Sequence, residues 1–433
     1  MKIYIDTLGC AKNEYDSQVQ AAKFLSLGCE ICDTPEEADV FLVNTCGFIN
    51  DAKVESIEHI FDLASIKDDR KLVVMGCLSE RYHDELLKEI PEVDMFFGVN
   101  ESDTLAEAVV NNAGSGDMVS GKAEPVCYRE RELPPGSYTS VMKIAEGCNN
   151  ACSFCAIPSI RGPYRSKPME QCVEEAQMLA SSGTKELVLI AQDTSQYGKD
   201  LYGELMLPEL LRKLSRIDGI EWIRIMYLYD NGISDELIDV IADEPKICKY
   251  IDMPIQHVSD NVLLAMRRQS TGASIRSTID RLRSRIPDIH IRTTLLVGFP
   301  GETEEDFNEL LDFVDSYQID RLGAFAFSDE EGTPSHDLAG KVPEEVGATR
   351  RDEIMLHQQA VSESLNEKKI GGVFDVMIDE YADDGLYIGR TMYDAPEIDC
   401  EVTVRTEAVH EPGDIVSVKI TDAYEYDLEG EEV

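Results

Sequence analysis

Short apolar runs alternate with amphipathic stretches along most of the chain, and this alternation limits the fold more than any other feature. In the N-terminal part we predict strands at 2–7, 40–44, 71–75 and 95–97, and helices at 14–27, 52–64 and 79–90. Strands that alternate with helices are typical of parallel sheets with helical crossovers. We therefore expect an α/β fold, with a doubly wound parallel sheet in an N-terminal domain of residues 1–125.

A second alternating series occupies residues 136–367. Its predicted strands are 141–145, 186–191, 222–228, 250–254, 289–297 and 322–327, and its predicted helices are 169–181, 207–217, 235–243, 260–266, 303–317 and 344–368. Eight strand–helix units would form a complete TIM barrel, so six units indicate a partial, TIM-like (β/α)6 barrel. In such a barrel the chemistry gathers at the carboxyl ends of the strands.

The pattern changes at the two domain boundaries. Residues 111–137 are rich in Gly, Pro and charge, and we interpret them as a linker. After Gly371 and Gly372, five short β-rich runs separated by turn residues predict a small, OB-like β-barrel at 368–433. This C-terminal domain has no cysteine cluster, so we expect it to bind a partner rather than to catalyse.

Three cysteines lie within the eight residues CNNACSFC, at Cys148, Cys152 and Cys155. Free cysteines also pack as small hydrophobic residues, but Gly147 and two asparagines make a plain core segment a poor explanation. Zinc usually takes four ligands in paired short spacings, and no matching second CxxC or HxxxH follows. Three thiolates can instead bind three irons of a 4Fe-4S cluster and leave the fourth iron open. The spacing therefore favours an iron–sulfur cluster over zinc.

The N-terminal domain has a second set of three cysteines. Cys10, Cys46 and Cys77 each follow a predicted strand and precede a predicted helix. In a doubly wound sheet those turns open on the carboxyl edge, where ligands bind, so the three thiols can converge there. The alternative is three unrelated buried cysteines. The remaining thiols receive a structural interpretation: Cys29, Cys32, Cys127, Cys172, Cys248 and Cys400.

Composition limits the environment and the partners. No apolar run reaches the length of a membrane span, and the N-terminus lacks the pattern of a secretion signal, so we expect a cytoplasmic protein without membrane contact. Cysteines stay reduced in that compartment unless metal or redox chemistry uses them. The formal net charge of −44 repels phosphate backbones and attracts basic partners. The alternative is a general solubility trait, because net charge says nothing about fold.

The motif C-x3-C-x2-C with an aromatic residue, Phe154, before its last cysteine resembles the signature of the radical S-adenosylmethionine superfamily. The resemblance implies that S-adenosylmethionine binds the fourth iron through its amino and carboxylate groups. One electron then cleaves its sulfonium and generates a 5′-deoxyadenosyl radical. The partial barrel is similar to the fold of the same superfamily.

Two sets of three cysteines joined to a C-terminal β-barrel resemble the methylthiotransferases, and this resemblance covers essentially the whole chain. It implies that Cys10, Cys46 and Cys77 hold an auxiliary 4Fe-4S cluster that delivers sulfur, and that the second set holds the radical-generating 4Fe-4S cluster. It also implies that the C-terminal domain is a TRAM domain. The implied reaction replaces a C–H bond by C–S–CH3, with S-adenosylmethionine as both methyl donor and radical source.

Two motifs favour the branch of this family that modifies a protein. LGCAKNEYDSQ is similar to its LGC-x-KN-x-x-DS motif, although Ala11 stands where proline is commoner, and GCNNACSFCAIPSIRG is similar to its second motif. The implied substrate is the β-carbon of an aspartate in the small-subunit ribosomal protein S-twelve. The alternative within the family is a tRNA adenosine. An electron donor such as flavodoxin or ferredoxin is also implied.

Charge separates these two substrates without reference to the family. Residues 368–433 contain five Lys or Arg and eighteen Asp or Glu, a net charge of −13. Nucleic-acid affinity depends on cationic contacts with phosphate, so we expect no tight binding of nucleic acid by this domain. A basic ribosomal protein would be attracted instead.

Phe154 and several residues at strand ends are candidates for contacts with S-adenosylmethionine. Gln192 and Asp193 follow the second barrel strand, although an Asx cap on the next turn explains them equally well. Gly298 follows the fifth strand, where a small residue lets backbone approach a cofactor or simply makes a turn. Arg292 could reach the cofactor carboxylate, or form a salt bridge inside the barrel. We interpret His257 as a hydrogen-bonded lining residue rather than a functional one, and we assign no catalytic acid or base.

A different class of function also fits the two cysteine sets. A non-enzymatic iron–sulfur electron carrier or RNA-binding adaptor would hold two clusters without cleaving S-adenosylmethionine. An anaerobic assay for 5′-deoxyadenosine distinguishes it from an enzyme.

Overall fold

The computed structural model describes residues 1–99, 102–111, 126–127, 129–383 and 385–433. The chain divides into two units. The first comprises Met1–Pro135, Lys143–Glu175 and Ser328–His336, and the second comprises Gly136–Met142, Ala176–Phe327 and Asp337–Val433. Most of the linker predicted at 111–137 lies outside the described residues, and the predicted domain of residues 136–367 contributes to both units.

A five-stranded parallel sheet forms the N-terminal part of the first unit. Its strands are β1 (Lys2–Thr7), β2 (Glu30–Cys32), β3 (Val40–Thr45), β4 (Lys71–Gly76) and β5 (Met95–Phe97). They stand in the order β2-β1-β3-β4-β5, and every neighbouring pair is parallel. The doubly wound sheet predicted from the sequence is thus confirmed, although β2 was not predicted as a strand.

Alternate residues of the central strands face opposite sides of this sheet, and each side is covered by helices. The helices are α1 (Ala11–Ser26), α2 (Asn50–Ile66), α3 (Cys77–Arg81), α4 (His83–Glu89) and α5 (Ser102–Val110). On one face Phe41 and Val43 pack with Ile60 of α2, and on the other Leu42 packs with Phe24 of α1. Because strands covered on both sides read as continuous apolar runs, β3 and β4 were recognisable in the sequence. The single helix predicted at 79–90 is divided into α3 and α4 at Tyr82.

Further short elements of this part of the chain surround the second set of cysteines. After β6 (Thr139–Lys143), strands β7 (Ala145–Glu146) and β8 (Arg165–Ser166) form an antiparallel pair that brackets α6 (Ile157–Ile160). The cysteine-rich segment therefore leaves and re-enters a fixed two-stranded ribbon.

Six strands of the second series form the predicted partial barrel. The strands after β6 are β9 (Glu186–Ile190), β10 (Trp222–Ile225), β11 (Tyr250–Asp252), β12 (His290–Val297) and β13 (Arg321–Ala326). They form two three-stranded sheets, β10-β9-β6 and β11-β12-β13. Leu228 N donates to Asp252 O over 2.9 Å and joins the two sheets between β10 and β11. The strand order is that of the incomplete barrel expected from the sequence.

The helices of this series are α7 (Met169–Ser181), α8 (Lys199–Tyr202), α9 (Leu207–Leu214), α10 (Asp235–Asp243), α11 (Asp260–Ala265), α12 (Gly272–Arg285), α13 (Glu304–Tyr317) and α14 (Glu344–Glu367). Capping explains where α13 begins: Thr303 and Asp306 form a reciprocal capping box, and acidic residues fill the first turn. Helix α12 was not predicted from the sequence, although its buried residues Ile275, Ile279 and Leu282 have helical spacing. No helix among the described residues is both long and apolar enough to cross a membrane.

The C-terminal residues form a closed five-stranded barrel, as predicted. Its strands are β14 (Val373–Asp383), β15 (Leu386–Thr391), β16 (Val402–Arg405), β17 (Ile415–Ala423) and β18 (Leu428–Glu432), in the order β14-β15-β16-β18-β17. Inward-facing residues such as Ile378, Val404 and Val418 fill its interior. The acidic side chains are therefore left to the outside and to the contacts with the larger barrel.

Buried ion pairs attach this C-terminal barrel to the amino-terminal ends of the larger barrel's strands. Arg321, at the start of β13, donates from Nε and Nη2 to Asp394 Oδ1 over 2.9 and 2.6 Å. Glu186, at the start of β9, accepts from Arg224 Nε at 2.8 Å and lies 2.5 Å from Arg390 Nη1. Charges buried this deeply are tolerated because each has a hydrogen-bonded partner of opposite sign.

We predict that Asp394→Ala destabilises the protein by about 3–5 kcal/mol, because Arg321 would keep a buried charge without its counterion. The Arg321 guanidinium opposes the effect of burial and holds the pKa of Asp394 well below its usual range. This stabilisation is therefore present at neutral pH and is lost only as the pH falls through that lowered pKa. Urea denaturation of the purified chain measures the effect.

Asp352→Ala is the matched control, because its partner Arg351 is exposed and such pairs contribute little. We expect its free energy of unfolding to stay within about 0.5 kcal/mol of the parent. Equal effects of the two substitutions would contradict the role of the Arg321–Asp394 pair.

Candidate functional site

The first set of cysteines lies at the carboxyl edge of the N-terminal sheet. Cys10 follows β1 and precedes α1, Cys46 follows β3, and Cys77 follows β4 and opens α3. Strands β1, β3 and β4 are direct neighbours, and the strand order reverses at β1. Ligands bind at such a switch point in open α/β sheets. The structure therefore brings the three cysteines to one edge, as the sequence predicted.

Asn13, in the first turn of α1, holds the turns of Cys10 and Cys46 together. Its Nδ2 donates to the carbonyl of Leu8 over 2.8 Å and to the carbonyl of Thr45 over 3.1 Å. Asn13 is fully buried, so both hydrogen bonds form away from water and their loss would leave polar groups unsatisfied. This asparagine fixes the separation of the two turns.

The pKa values of the three thiols are shifted by the charges of other thiols in the set and by Arg161. Burial raises the pKa of the Cys77 thiol to about 11, and Arg161 opposes that increase. Burial also raises the pKa of the Cys46 thiol, and the charge of Cys10 adds to this increase. Burial also acts to raise the pKa of the Cys10 thiol, but Lys12 and Arg161 outweigh burial, so this pKa is lowered. Arg161 therefore favours the thiolate form throughout this cysteine set.

The donor set suits a cluster better than a single ion. Within the described ranges, no three His, Cys, Asp or Glu side chains are arranged around one point as ligands of a single metal ion. In a 4Fe-4S cluster each cysteine binds a different iron, so the sulfur atoms stand farther apart than ligands that share one ion. The turn before Cys10 lies close to the second thiol, since a Cβ on Gly9 would lie 2.7 Å from Cys46 Cβ and 3.1 Å from Cys46 Sγ.

The second set of cysteines occupies a loop with close backbone contacts. Gly147 has φ +77°, and a Cβ there would lie 2.2 Å from the carbonyl oxygen of Pro163. Cys148 N donates to Gly162 O over 3.2 Å, and Cys155 N donates to Cys152 O over 3.2 Å. Asn150 N donates to Cys148 Sγ over 3.4 Å, a contact of the kind that supports a metal-bound thiolate. Phe154 is half-buried within this loop.

Arg161 connects the two cysteine loops within the first unit. Its Nη2 donates to Asn13 Oδ1 over 2.9 Å and to Cys77 Sγ over 3.5 Å. Its Nη1 donates to Asp16 over 3.0 Å and to Glu146 over 3.1 Å. Asp16 lies in the helix that follows Cys10, and Glu146 lies two residues before Cys148. A single guanidinium thus contacts groups beside both sets of cysteines.

A segment after β13, Ser328–His336, contacts the helices that follow Cys46 and Cys77 and the loop of the second cysteine set. Glu330 pairs with Lys53 over 2.8 Å and with Arg81 over 3.1 Å. Arg81 also donates to the carbonyl of Gly47, next to Cys46. On the other side, Ser335 N donates to the carbonyl of Ser153 over 2.8 Å. Although burial opposes it, hydrogen bonds from Lys53 and Ser328 keep the pKa of Glu330 lowered, so this carboxylate stays charged.

Asn13, Asp16 and Arg161 lie within the two sequence motifs, but no role was predicted for them. Their polar side chains stand in LGCAKNEYDSQ and at the end of CAIPSIRG, but the spacing within these stretches identifies no partners for them. Glu330 lies in the SDEEGT stretch, where no local pattern identifies its partners. Their roles follow from contacts across the chain and not from sequence spacing.

The other predicted cofactor contacts lie in the second unit. Asp193 caps a short 3-10 helix, accepting from Ser195 N over 3.1 Å and from Ser195 Oγ over 2.5 Å. This is the Asx-type cap that the sequence indicated as the alternative to a cofactor contact. Gln192 precedes it, at the carboxyl end of β9. Gly298 follows β12 with φ +74°, and a Cβ there would lie 2.9 Å from Gly347 Cα. These positions are at strand ends where cofactors bind, and their contact with S-adenosylmethionine stays a prediction.

Arg292 lies near the amino-terminal end of β12. It donates from Nη1 to Asp252 over 2.9 Å, and its Nε is 3.3 Å from Asp399 in the C-terminal domain. Asp399 also accepts from Tyr250 over 2.6 Å. This geometry favours the salt bridge that the sequence left open as the alternative to cofactor binding.

His257 is fully buried, and its Nδ1 accepts from Ser259 N over 3.0 Å. Burial lowers its pKa to about 4, so the ring is neutral at physiological pH. The structure agrees with its interpretation as a hydrogen-bonded lining residue.

Three family models match successive parts of the chain. The model described as "Uncharacterized protein family UPF0004" matches residues 2–98, that of the Radical SAM superfamily matches residues 142–314, and that of the TRAM domain matches residues 370–433. Together with the two cysteine sets, these matches define a radical S-adenosylmethionine enzyme with an N-terminal sheet domain and a C-terminal TRAM barrel.

Curated relatives identify the family. "Ribosomal protein uS12 methylthiotransferase RimO" of Clostridioides difficile (strain 630) is 47% identical over 437 residues, which cover 100% of this chain and 98% of that protein. The protein of the same name from Acetivibrio thermocellus is 44% identical and covers 99% of this chain and 98% of its own length. The chain belongs to the RimO family of ribosomal protein uS12 methylthiotransferases.

Solved structures agree on the fold. The radical S-adenosylmethionine methyltransferase TsrM from Kitasatospora setae superposes with a TM-score of 0.58 at 14% identity, covering 77% of this chain and 73% of that one. The cobalamin-dependent S-adenosylmethionine radical enzyme OxsB superposes with a TM-score of 0.54 at 10% identity, covering 83% and 57%. At these identities the likeness supports the architecture alone.

We predict that Gly147→Ala both destabilises the apoprotein and lowers iron incorporation after anaerobic reconstitution. The left-handed backbone costs an alanine about 1–2 kcal/mol, and the overlap with the Pro163 carbonyl adds to that cost and displaces Cys148. Urea denaturation and iron analysis measure the two effects.

Gly203→Ala is the matched control, because Gly203 has φ +83° and open space where the Cβ would lie. It should show the backbone cost alone and load iron normally. The interpretation of Gly147 is wrong if both variants lose the same stability and the same iron.

Proposed function

We propose that this chain transfers a methylthio group to the β-carbon of an aspartate of ribosomal protein uS12, using S-adenosylmethionine as methyl donor and radical source. The observation that carries the proposal is full-length similarity, at 43–47% identity, to proteins named uS12 methylthiotransferase RimO. The site has the required parts, because two sets of three cysteines lie in loops with close backbone packing. The tRNA alternative is not favoured by these relatives.

Two 4Fe-4S clusters and S-adenosylmethionine are the cofactors of this reaction. We assign one cluster to Cys10, Cys46 and Cys77, and the other to Cys148, Cys152 and Cys155. Cys148, Cys152 and Cys155 would hold a cluster that supplies the electron for cleavage of S-adenosylmethionine, and Cys10, Cys46 and Cys77 would hold one that provides a position for sulfur. The low exposure of Cys148 and Cys152, at 8% and 5%, limits access of water and oxygen to their sulfurs.

The chain's own residues orient these groups. Asn13 sets the separation of the Cys10 and Cys46 turns, and Gly147 lets the Cys148 loop approach the segment at Pro163. Gln192 and Gly298 are our candidates for contacts with S-adenosylmethionine, since both follow barrel strands. Hydrogen-atom abstraction by a carbon radical needs no general base, and we assign none.

Charge supports a basic protein as the substrate. The C-terminal domain has a net charge of −13, although Asp379, Asp394 and Asp399 accept hydrogen bonds from Tyr138, Arg321 and Tyr250, which lie in or beside the larger barrel. The remaining acidic excess still opposes phosphate and favours a cationic surface. We infer that uS12 is attracted electrostatically, that tRNA is not, and that a small redox protein such as flavodoxin or ferredoxin supplies electrons.

We predict that uS12 from cells expressing this chain contains one aspartate with the mass increment of a methylthio group, and that the increment disappears when the gene is removed. Peptide mass spectrometry of ribosomal proteins measures it. Unchanged uS12 together with altered tRNA nucleosides would refute the proposed substrate.

In the same cells Cys148→Ala should abolish the modification. The purified variant should form no 5′-deoxyadenosine and retain about four irons instead of about eight, because the N-terminal cluster still assembles. Cys29→Ala is the control, since Cys29 is buried in the core of the N-terminal sheet. We expect it to keep about eight irons and the activity.

A further inference from the structure

Arg161 forms the centre of a buried charge network between the two cysteine loops. Its guanidinium is 2% exposed and donates to Asp16, Glu146, Asn13 and Cys77. Lys143 completes the network, lying 2.5 Å from Asp16 and 2.6 Å from Glu146. Two cations therefore face two anions, and the network is close to neutral as it stands.

The contacts of Arg161 indicate a role in addition to its ion pairs. Together with Lys143, Arg161 balances the charges of Asp16 and Glu146, but it contacts these carboxylates through Nη1 alone. Its second nitrogen, Nη2, points away from both carboxylates to Cys77 Sγ at 3.5 Å and to Asn13 at 2.9 Å. A permanently charged donor is thus aimed at a sulfur of the N-terminal cysteine set.

Hydrogen bonds to cysteine sulfurs and nearby charge are established determinants of iron–sulfur reduction potentials. A donor to a ligand sulfur withdraws electron density, and a buried cation stabilises the reduced cluster, which carries one more negative charge. Both effects raise the reduction potential. They act strongly here because the Arg161 side chain is shielded from water.

We propose that Arg161 is a positioning residue that raises the reduction potential of the cluster held by Cys10, Cys46 and Cys77, with Asp16 as the counter-charge that limits the increase. The proposal rests on the cluster assignment of the proposed function. Its chemistry is a single one-electron reduction of that cluster. The electron comes from an external donor, represented in the test by dithionite.

The test uses the full-length chain with Cys148, Cys152 and Cys155 replaced by Ala, so that one cluster contributes the signal. Dithionite titrations followed by electron paramagnetic resonance give its midpoint potential. Arg161→Met should shift the equilibrium toward the oxidised cluster at least tenfold at fixed potential, or about 59 mV downward. Asp16→Asn should shift the potential upward, because it removes a negative charge from the same network.

Arg351→Met is the matched control, an arginine-to-methionine change at an exposed site paired with the adjacent Asp352, and its potential should equal that of the parent. Iron content distinguishes failure of the cluster assignment from failure of the role of Arg161 in setting the reduction potential. Absence of iron from the parent background would refute the cluster assignment itself. A loaded parent whose potential is unmoved in Arg161→Met would refute the tuning role only.

If Arg161→Met does not fold, the proposal is still tested, because the direction in which Asp16→Asn shifts the midpoint potential is measured independently. If Asp16→Asn leaves the potential unchanged or lowers it, the proposal is wrong. A purely structural role for Arg161 predicts altered iron content but no opposite displacements of the potential in the two variants.

Discussion

The hydrogen bonds of Asn13 are the constraint on which the candidate site depends. Through Leu8 and Thr45 they join two loops that belong to neighbouring strands, and through Arg161 they connect these loops to the segment beside the second cysteine set. A parallel sheet provides the shared edge, but it does not by itself set the distance between two turns. One buried amide supplies that distance, because it can donate to two carbonyls and accept from a guanidinium at once.

The two barrels of the second unit divide their charged residues between stability and function. At the amino-terminal ends of the larger barrel's strands, Arg224, Arg292 and Arg321 each pair with a carboxylate. The carboxylates that pair with Arg292 and Arg321, Asp399 and Asp394, belong to the C-terminal domain. Candidate cofactor residues such as Gln192 and Gly298 occur instead where strands end. This division follows the general behaviour of β/α barrels, in which one face stabilises and the other carries chemistry. It also shows that part of the acidic excess serves internal pairing.

Much of the architecture was predictable because its signal is local. Buried parallel strands read as apolar runs, and the alternation with helices located all six strands of the partial barrel and four of the five strands of the N-terminal sheet. The failures have physical causes. Strand β2 has only three residues, too few to show a period, and Tyr82 divides one amphipathic stretch into two helices. For Arg292 the sequence could not choose between a cofactor and a salt bridge, because both use the same guanidinium.

The sequence by itself determined the identity and order of the thiols, the strand-to-helix turns that carry them and the family. These depend on residue type and on spacing within one element. Only the tertiary structure decided which charges surround the thiols. Arg161 meets Asn13 across 148 positions and Lys53 meets Glu330 across 277, and no local period records such pairings. They exist because the fold closes these loops on one another, and because buried charges are stable only where that closure provides partners.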